Sequence, residues 1–547
     1  MVAEVVPAPD DELTSHAYVR NTAVMTVGTI LSRATGLVRV SVLAWALGVS
    51  VSSLADTYNT ANTAPNILYE LVLGGILTSV FVPVFVQWRA EHGREDAWDV
   101  ASRVLTMAAI ALAAVAVLGI VLAPWLARLY FGDPTPAQLD LGAYLIRWFM
   151  PQVVFYGIGA IAGGLLNAEG RFAAPMYAPV LNNVVVVLTV VAYAWLRGGS
   201  PASVAEITGA QRALLGAGTT LGVVAMTVAL WPSLRAVGFR WRPRFGWRHP
   251  AVVRLLHLSA WVFLYVAANQ IAYASIVRLN NSIEQGALTA YQWAFLLFSL
   301  PHAIFAVSII TALLPAMARR WTDGDRAGLV ELCSRGIRDT SVVIVPAAFG
   351  FAALAVPIAR LVLEHGLTSA ADAELVGRVL QAFAIGLPFF SVFQLLTRTF
   401  YATQDSRTPA LANVAAAAVN VGAALVFTFV FDWGVPGIAL GHAASYVAGT
   451  FVLLALLRMR IGSLDGRRVG ATLARTIVAG ACTAAAALLV SEAVAALAGE
   501  DAGPLVRSIQ VLAGVLAGVL VFAGLATIVG IREVRDVATT VRRRFRG

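Results

Sequence analysis

The sequence predicts an all-α, polytopic membrane protein with about 14 transmembrane helices, arranged as two six-helix lobes and two C-terminal helices. Hydrophobic residues make up 59% of the 547 residues and charged residues only 13%, whereas soluble proteins average about 25%. Apolar runs of about twenty residues recur along the whole chain, and a helix of that length crosses a bilayer. Arginine-rich and arginine-poor connections alternate between these runs, as expected for a chain that crosses repeatedly.

The apolar runs predict the spans in chain order. Segment 1–20 contains the acidic stretch "PAPDDEL" and is predicted to be a cytoplasmic tail. It does not resemble a secretory signal, because the first apolar run is too long for one. The spans are predicted near 21–47, 57–87, 104–128, 140–166, 174–196, 213–234, 254–279, 289–318, 339–361, 375–402, 409–430, 437–457, 476–497 and 508–531.

The distribution of arginine predicts the orientation. All 39 basic residues are arginine, since the chain has no lysine. With the N-terminus in the cytoplasm, the inner connections hold 28 arginines and the outer ones three, which is the asymmetry of the positive-inside rule. Both termini are therefore expected in the cytoplasm. The basic linker 235–253 and the basic tail 532–547 would face anionic lipid. Nucleic-acid binding is not expected, because the arginines are spread over eight connections.

Composition also excludes several chemistries. Without lysine the chain can form neither a Walker A loop nor a lysine Schiff base. Cys333 and Cys482 are its two cysteines and lie far apart, so no disulfide framework is expected. The seven histidines are scattered singly, and no metal site is predicted. We therefore expect no cofactor and leave the coupling ion unknown.

Three pairs of prolines suggest an internal repeat. Pro83 and Pro315 are 232 residues apart, Pro151 and Pro388 are 237 apart, and Pro175 and Pro409 are 234 apart. Nearly equal offsets predict two halves, 21–234 and 254–457, with 468–531 as an appended helix pair. Paired six-helix halves are a common transporter plan, with the substrate path between them. The alternative is that proline simply marks helix starts.

The first span carries two arginines, Arg33 and Arg39, in an otherwise apolar run. A charge at the bilayer centre costs about 2.5–3.5 kcal/mol on insertion scales, so Arg33 should face a wet cavity or a partner. Arginine stays charged and its planar fork matches phosphate oxygens, although a carboxylate would also fit. The alternative is structural pairing of these arginines with an acid on the next span.

The second span carries a polar stripe. Its members are spaced by three or four residues, which places them on one helical face. They are Asp56, Asn59, Asn62, Asn66 and Glu70. The stripe predicts the lining of a water-filled lumen, and the alternative is hydrogen bonding between helices. Arg278 in the seventh span, which also holds Asn269, Gln270 and Tyr273, is a weaker candidate for the same lumen.

Several stretches resemble the MurJ/MviN family. They are "LSRATGLVR", "ADTYNTANTAPNILYELVLGGILTSVFVPVF", "LLNAEGRFAAPMYAPVLNN" and "FYATQDSRTPALAN", and the resemblance covers about 20–535. It implies a lipid II flippase of the MOP exporter superfamily, which moves the undecaprenyl-diphosphate-linked peptidoglycan precursor from the inner to the outer leaflet by alternating access. It also implies a location in the bacterial inner membrane and a lipid-tail groove at the two C-terminal helices. Arg33 and Arg39 match two arginines of the family's first helix, and Asp56 matches its acid.

The chain also departs from the family pattern. Tyr69 and Leu296 stand where many members have arginine, and Val40 stands where an acid often follows the second arginine. The expected partners are lipid II and membrane lipids, with cell-wall synthesis or division proteins as further candidates.

Three alternatives remain open at this point. A multidrug exporter, or an exporter of another lipid-linked oligosaccharide, would share the superfamily, but cationic drugs do not suit central arginines. A membrane glycosyltransferase acting on polyprenyl-linked sugars would need an outer carboxylate and a sizeable outer loop, and the outer connections are short. A non-transporting scaffold would leave the polar stripe unexplained.

Overall fold

The computed structural model describes residues 11–50, 53–71, 81–198, 203–498, 503–531 and 533. Within these ranges the regular secondary structure is helical and contains no strand, which confirms the all-α prediction. Twelve of the described helical segments are long and apolar enough to cross a membrane. They coincide with twelve of the predicted spans, so the polytopic fold is confirmed while the count of 14 stays a prediction.

The described residues of the first half of the chain form ten helices. They are α1 Asp11–Leu47, α2 Leu54–Tyr69, α3 Val82–His92, α4 Arg94–Val121, α5 Ala123–Tyr130, α6 Pro136–Phe149, α7 Gln152–Ala168, α8 Ala173–Arg197, α9 Gly209–Val228 and α10 Trp231–Ala236.

The described residues of the second half form nine helices and two π-helical segments, His302–Ala306 and Val426–Val430. The helices are α11 Pro250–Asn281, α12 Ala287–Pro301, α13 Val307–Thr322, α14 Arg326–Leu363, α15 Ala370–Ala402, α16 Arg407–Leu425, α17 Gly434–Ile461, α18 Gly466–Ala498 and α19 Pro504–Ile528.

Two predicted spans are not among the twelve. The predicted span 57–87 corresponds to α2 and α3, which flank residues 72–80, outside the described part of the chain. The predicted span 254–279 corresponds to α11, a helix of 32 residues.

Proline and capping residues explain where several helices begin. α7 begins directly after Pro151, so the segment 136–168 divides at that point. Its counterpart in the repeat, α15, contains Pro388 and continues without a break. α14 begins at residue 326, earlier than the predicted 339, because Asp325 accepts the backbone N–H of Gly328 at 2.8 Å and caps a charged first stretch. Apolarity marks only the part of a helix that lies in lipid.

The helices pack as two sets. Helix α1 packs on α8, α8 on α9 and α4 on α7, while α14 packs on α15, and α15 and α16 both pack on α17. Helices α18 and α19 pack on each other and on α14. We infer that the two sets, α1–α10 and α11–α17, are the lobes predicted from the repeat, and we call them the N-lobe and the C-lobe.

Candidate functional site

A polar cavity of about 500 Å³ lies among four C-lobe helices, and one N-lobe side chain completes its wall. The C-lobe helices are α11, α12, α16 and α17. The N-lobe contributes Arg33 from α1. The polar side chains in the wall are Arg33, Asn269, Gln270, Tyr273, Tyr291, Gln292, Ser299, Asn413, Asn420, His442, Ser445 and Tyr446.

Arg33 is exposed and lies within the apolar segment Val27–Leu47 of α1. It is the one arginine among the described residues of the cavity wall, which contain no lysine or acid. It also interacts electrostatically with His302, the first residue of the π-helical segment His302–Ala306. The Nδ1 atom of His302 lies 3.0 Å from Ser391 Oγ. The structure thus places a guanidinium in a polar cavity at membrane depth. Its contact with a substrate stays a prediction.

Arg39 is not part of this cavity wall. Six residues of an α-helix turn it about 120° away from Arg33, because each residue advances the helix by about 100°. Arg39 is half-buried and interacts electrostatically with Tyr156 of α7. The Tyr156 ring lies 5.3 Å from the ring of Tyr69, centroid to centroid. Arg39 therefore lies within electrostatic range of the Tyr69–Tyr156 ring pair.

Asp56 is buried and caps the first turn of α12 across the two lobes. Its carboxylate accepts the backbone N–H groups of Gly286 at 2.5 Å and Thr289 at 2.9 Å, and the Thr289 hydroxyl at 2.5 Å. Asn59, also buried, donates to Thr289 Oγ1 at 3.0 Å. A carboxylate at a helix N-terminus satisfies unpaired N–H groups and the helix dipole. Both residues thus serve as interhelical hydrogen-bonding groups here.

The remaining stripe residues lie elsewhere. Asn62 and Asn66 are half-buried and Glu70 is exposed. The Oδ1 atom of Asn62 is buried and has no hydrogen-bond partner. None of the five stripe residues is in the wall of the described cavity. Their role in lining a lumen stays a prediction.

Arg278 also lies outside the cavity wall. Its Nη1 atom donates to the carbonyl oxygens of Arg128 at 3.2 Å, Leu129 at 2.9 Å and Phe131 at 3.3 Å. These carbonyls end α5, where the helix leaves acceptors unpaired and carries partial negative charge. The geometry therefore assigns Arg278 a capping contact between α11 and α5.

Further contacts between the lobes occur at the same end of the bundle as the Asp56 cap. Thr368 Oγ1 donates to Ala44 O at 2.8 Å, and the backbone N–H of Leu367 donates to Trp45 O at 3.1 Å. Ser50 Oγ donates to Asp372. Together with the Asp56 cap, these three contacts are called the interlobe seal below.

The two loops that follow α7 and α15 hold an acid in equivalent positions. Glu169 pairs with Arg89, and Asp405 pairs with Arg460 at 3.0 Å. Burial would raise the pKa of Asp405, but hydrogen bonds from Thr408 and the charge of Arg460 hold this pKa below its usual value. Each acid therefore links its loop to the last turn of a neighbouring helix, α3 for Glu169 and α17 for Asp405.

Sequence reasoning missed the α16 and α17 part of the site, namely Asn413, Asn420 and His442. The available signal was that each is a polar residue within an apolar span, where such residues are costly and usually face an interior. Arg33 of α1 and the α11 residues Asn269, Gln270 and Tyr273 were anticipated.

A second cavity, of about 570 Å³, is almost wholly apolar. It lies between α14, α15, α17 and α18, and its wall includes Phe349, Phe389, Phe451 and Ile477, with Arg458 as its one charged residue among the described residues. Helix α18 is part of the predicted lipid-tail groove, whereas α19 does not line this cavity.

Comparisons with known proteins place the chain in a family. A family model described as lipid II flippase MurJ matches residues 43–499. The probable lipid II flippase MurJ of Rhizobium meliloti is 29% identical over 512 residues, which cover 90% of this chain and 91% of that protein. The corresponding protein of Vibrio cholerae is 27% identical over 452 residues, covering 81% and 82%.

Two solved structures show the same fold. A lipid II flippase MurJ in an inward closed conformation superposes with a TM-score of 0.72 at 20% identity, covering 92% of this chain and 98% of that one. A multidrug resistance MATE family transporter of the MOP superfamily, in an inward-facing conformation, gives 0.66 at 14% identity, covering 79% and 95%. Since the family model spans most of the sequence, this chain belongs to the lipid II flippase MurJ family.

Proposed function

We propose that this chain is a lipid II flippase, which moves the undecaprenyl-diphosphate-linked peptidoglycan precursor from the inner to the outer leaflet. It is a multi-pass protein of the bacterial inner membrane and a transporter rather than an enzyme. Family membership and the names of its relatives support this function. The observation that carries it is Arg33, a permanent cation in the wall of a polar cavity within a membrane-spanning segment.

The chemistry of Arg33 suits a diphosphate. A guanidinium remains charged at any physiological pH and offers paired N–H donors to phosphate oxygens. The same charge disfavours the cationic substrates of a multidrug exporter. Arg39, on another face of α1, would meet the head group only after the lobes rearrange.

The proposed transport cycle depends on the interlobe seal. The connections 48–56, 280–288 and 362–374 contain no arginine, so the positive-inside rule supports an outer location of the seal, with both termini in the cytoplasm. The described conformation is then closed toward the outside. Outward opening has to break the Asp56 cap on α12 and the hydrogen bonds that the Leu367 N–H and the Thr368 hydroxyl donate to carbonyl oxygens of α1.

The apolar cavity next to α18 is the candidate site for part of the lipid tail. Its wall offers aromatic and aliphatic side chains to a polyprenyl chain, as apolar ligand pockets usually do. Transport of an anionic head group outward is favoured by an inside-negative potential, by about 2.3 kcal/mol per charge per 100 mV. Contacts with cell-wall synthesis or division proteins remain part of the proposal.

The test is a leaflet-accessibility assay for lipid II in cells depleted of their own flippase. We expect expression of this chain to restore lipid II on the outer leaflet and to support growth, and Arg33→Ala to do neither while inserting normally. Restored growth with lipid II still confined to the inner leaflet would refute a flippase. Unchanged export with altered glycan polymerisation would favour the glycosyltransferase.

A further inference from the structure

The α16 and α17 side of the polar cavity carries two polar atoms without a partner. Asn420 Oδ1 and His442 Nε2 are buried and have no hydrogen-bond partner, and both residues belong to the cavity wall. Most buried polar atoms in proteins are paired, and an unpaired one destabilises the fold unless a ligand satisfies it. Two such atoms in one cavity indicate a site for a ligand with hydroxyl or amide groups.

The position of His442 is fixed by aromatic rings. Its ring centroid lies 5.4 Å from those of Phe295 and Phe383 and 4.9 Å from that of Tyr446, all with steep interplanar angles. Edge-to-face packing of this kind restricts the orientation of the imidazole. The unpaired nitrogen is therefore presented in a defined direction rather than on a mobile side chain.

The surrounding polar groups are neutral and held in place. Asn413 Nδ2 donates to Asn269 Oδ1 at 2.8 Å, and Gln292 Nε2 donates to Thr63 Oγ1 at 3.1 Å and to the Tyr273 hydroxyl at 3.2 Å. Within the described wall the charged side chain is Arg33, on the opposite lobe. A phosphate group would therefore bind Arg33 on the α1 side of the cavity. The α16 and α17 side offers only neutral hydrogen-bonding groups and aromatic rings.

We propose that Asn420 and His442 form a subsite for the uncharged sugar and peptide part of the head group, while Arg33 takes its diphosphate. Sugar hydroxyls and peptide amides supply both donors and acceptors, which matches one amide oxygen and one imidazole nitrogen. A volume of about 500 Å³ is in the usual range for ligand pockets. This assignment rests on the proposed function and deepens it, since it makes the glycopeptide, and not only the lipid diphosphate, a recognised element.

The test compares two probes on the full-length protein in lipid nanodiscs. Lipid II carries the glycopeptide, and undecaprenyl diphosphate lacks it. We expect Asn420→Leu and His442→Phe each to weaken lipid II binding by about tenfold or more, as for loss of a hydrogen bond in a buried polar site. Binding of undecaprenyl diphosphate should stay within about twofold of wild type. Arg33→Gln should weaken both probes.

His92→Phe is the matched control. His92 stacks on Trp88 outside the cavity, with ring centroids 4.1 Å apart, so the exchange keeps its ring contact and should change neither affinity. Thermal unfolding of each variant reports folding, and Asn420→Leu alone decides the question if His442→Phe does not fold. Equal loss for both probes, or no loss, overturns the subsite. Wild-type protein that binds neither probe overturns the proposed function itself.

Discussion

Asp56 of α2 accepts the backbone N–H of Thr289 at 2.9 Å and so caps α12, a helix of the other lobe. The same carboxylate also accepts the N–H of Gly286. A helix cap is usually local in sequence, whereas here donor and acceptor are 233 residues apart. The N–H groups of the first turn of α12 consequently have this protein partner only while the two lobes are in contact at this end.

Removing the Asp56 cap should favour the outward-open state. An N-cap contributes about 0.5–2 kcal/mol, so Asp56→Ala should shift the equilibrium roughly 2- to 30-fold toward opening. Thr60 is buried beside the seal, where Asn281 Nδ2 donates to its hydroxyl at 3.0 Å. In a Cys482→Ser background, a Thr60→Cys reporter should react faster with an impermeant thiol reagent.

The control for this experiment is Asp140→Ala. Asp140 is an exposed acid that pairs with Arg212 at 2.6 Å, and surface pairs contribute little. It should leave the labelling rate of the Thr60→Cys reporter unchanged. Equal labelling rates for Asp56→Ala and wild type would show that the cap does not hold the lobes together.

Gly366 should be intolerant of a side chain for a reason specific to the seal. It lies between α14 and α15 with φ at +66°, and a Cβ atom there would collide with the carbonyl oxygen of Trp45. Gly366→Ala should therefore open the seal and raise the labelling of the Thr60→Cys reporter. Gly198 is the control, because it has a similar φ of +61° but open space around it, so a side chain there adds backbone strain without a collision. Gly198→Ala should cost stability without changing the labelling rate.

Hydropathy and arginine counts predicted the helices well because lipid imposes one requirement, a long apolar run, on every span. They could not predict helix ends outside lipid. Helix α18 begins at residue 466, ten residues before the predicted 476, and α14 begins at a capped, charged turn. In these stretches capping residues and intrinsic helix propensity determine where a helix begins, and neither can be read from hydropathy.

The site was less predictable than the fold, since its residues come from spans distant in sequence. Polarity alone identified Asp56 and Arg278 as functional candidates, yet both make backbone contacts whose partners lie more than 140 residues away. Conversely, Asn420 and His442 carry the same signal of a polar residue in an apolar span. A uniform search for such residues would have found them.

Arg33 should be required as a bidentate donor and not only as a charge. Arg33→Ala should abolish complementation of a flippase-depleted strain, and Arg33→Lys should restore it only in part, because an ammonium lacks the planar fork. Arg378, exposed and paired with Glu374 within α15, provides the control. Arg378→Ala should grow as wild type. Full growth from Arg33→Ala at normal expression would remove Arg33 from the substrate path.

Arg278→Ala tests whether that arginine acts on structure or on substrate. Because its guanidinium binds three carbonyls at the end of α5, its loss should lower the thermal unfolding midpoint of the purified protein. Its lipid II affinity, measured below the unfolding range, should remain near wild type. Reduced affinity with an unchanged midpoint would restore the predicted substrate contact.

Asp325, the N-cap residue of α14, should make the stability of the protein depend on pH. The N–H of Gly328 and the guanidinium of Arg320 lower the pKa of the Asp325 carboxyl below its usual value. A carboxyl with a lowered pKa in the folded state stabilises the protein fully above its ordinary pKa, near 4, and loses this contribution as pH falls through the lowered value.

Asparagine caps a helix about as well, so Asp325→Asn removes the charge and keeps the cap. Its unfolding midpoint should lie below that of wild type at pH 7, and the difference should shrink as the pH is lowered below 4. Asp323→Asn, which makes the same charge change on a neighbouring exposed residue, is the matched control variant. A constant offset for Asp325→Asn down to the lowest pH would contradict the linkage.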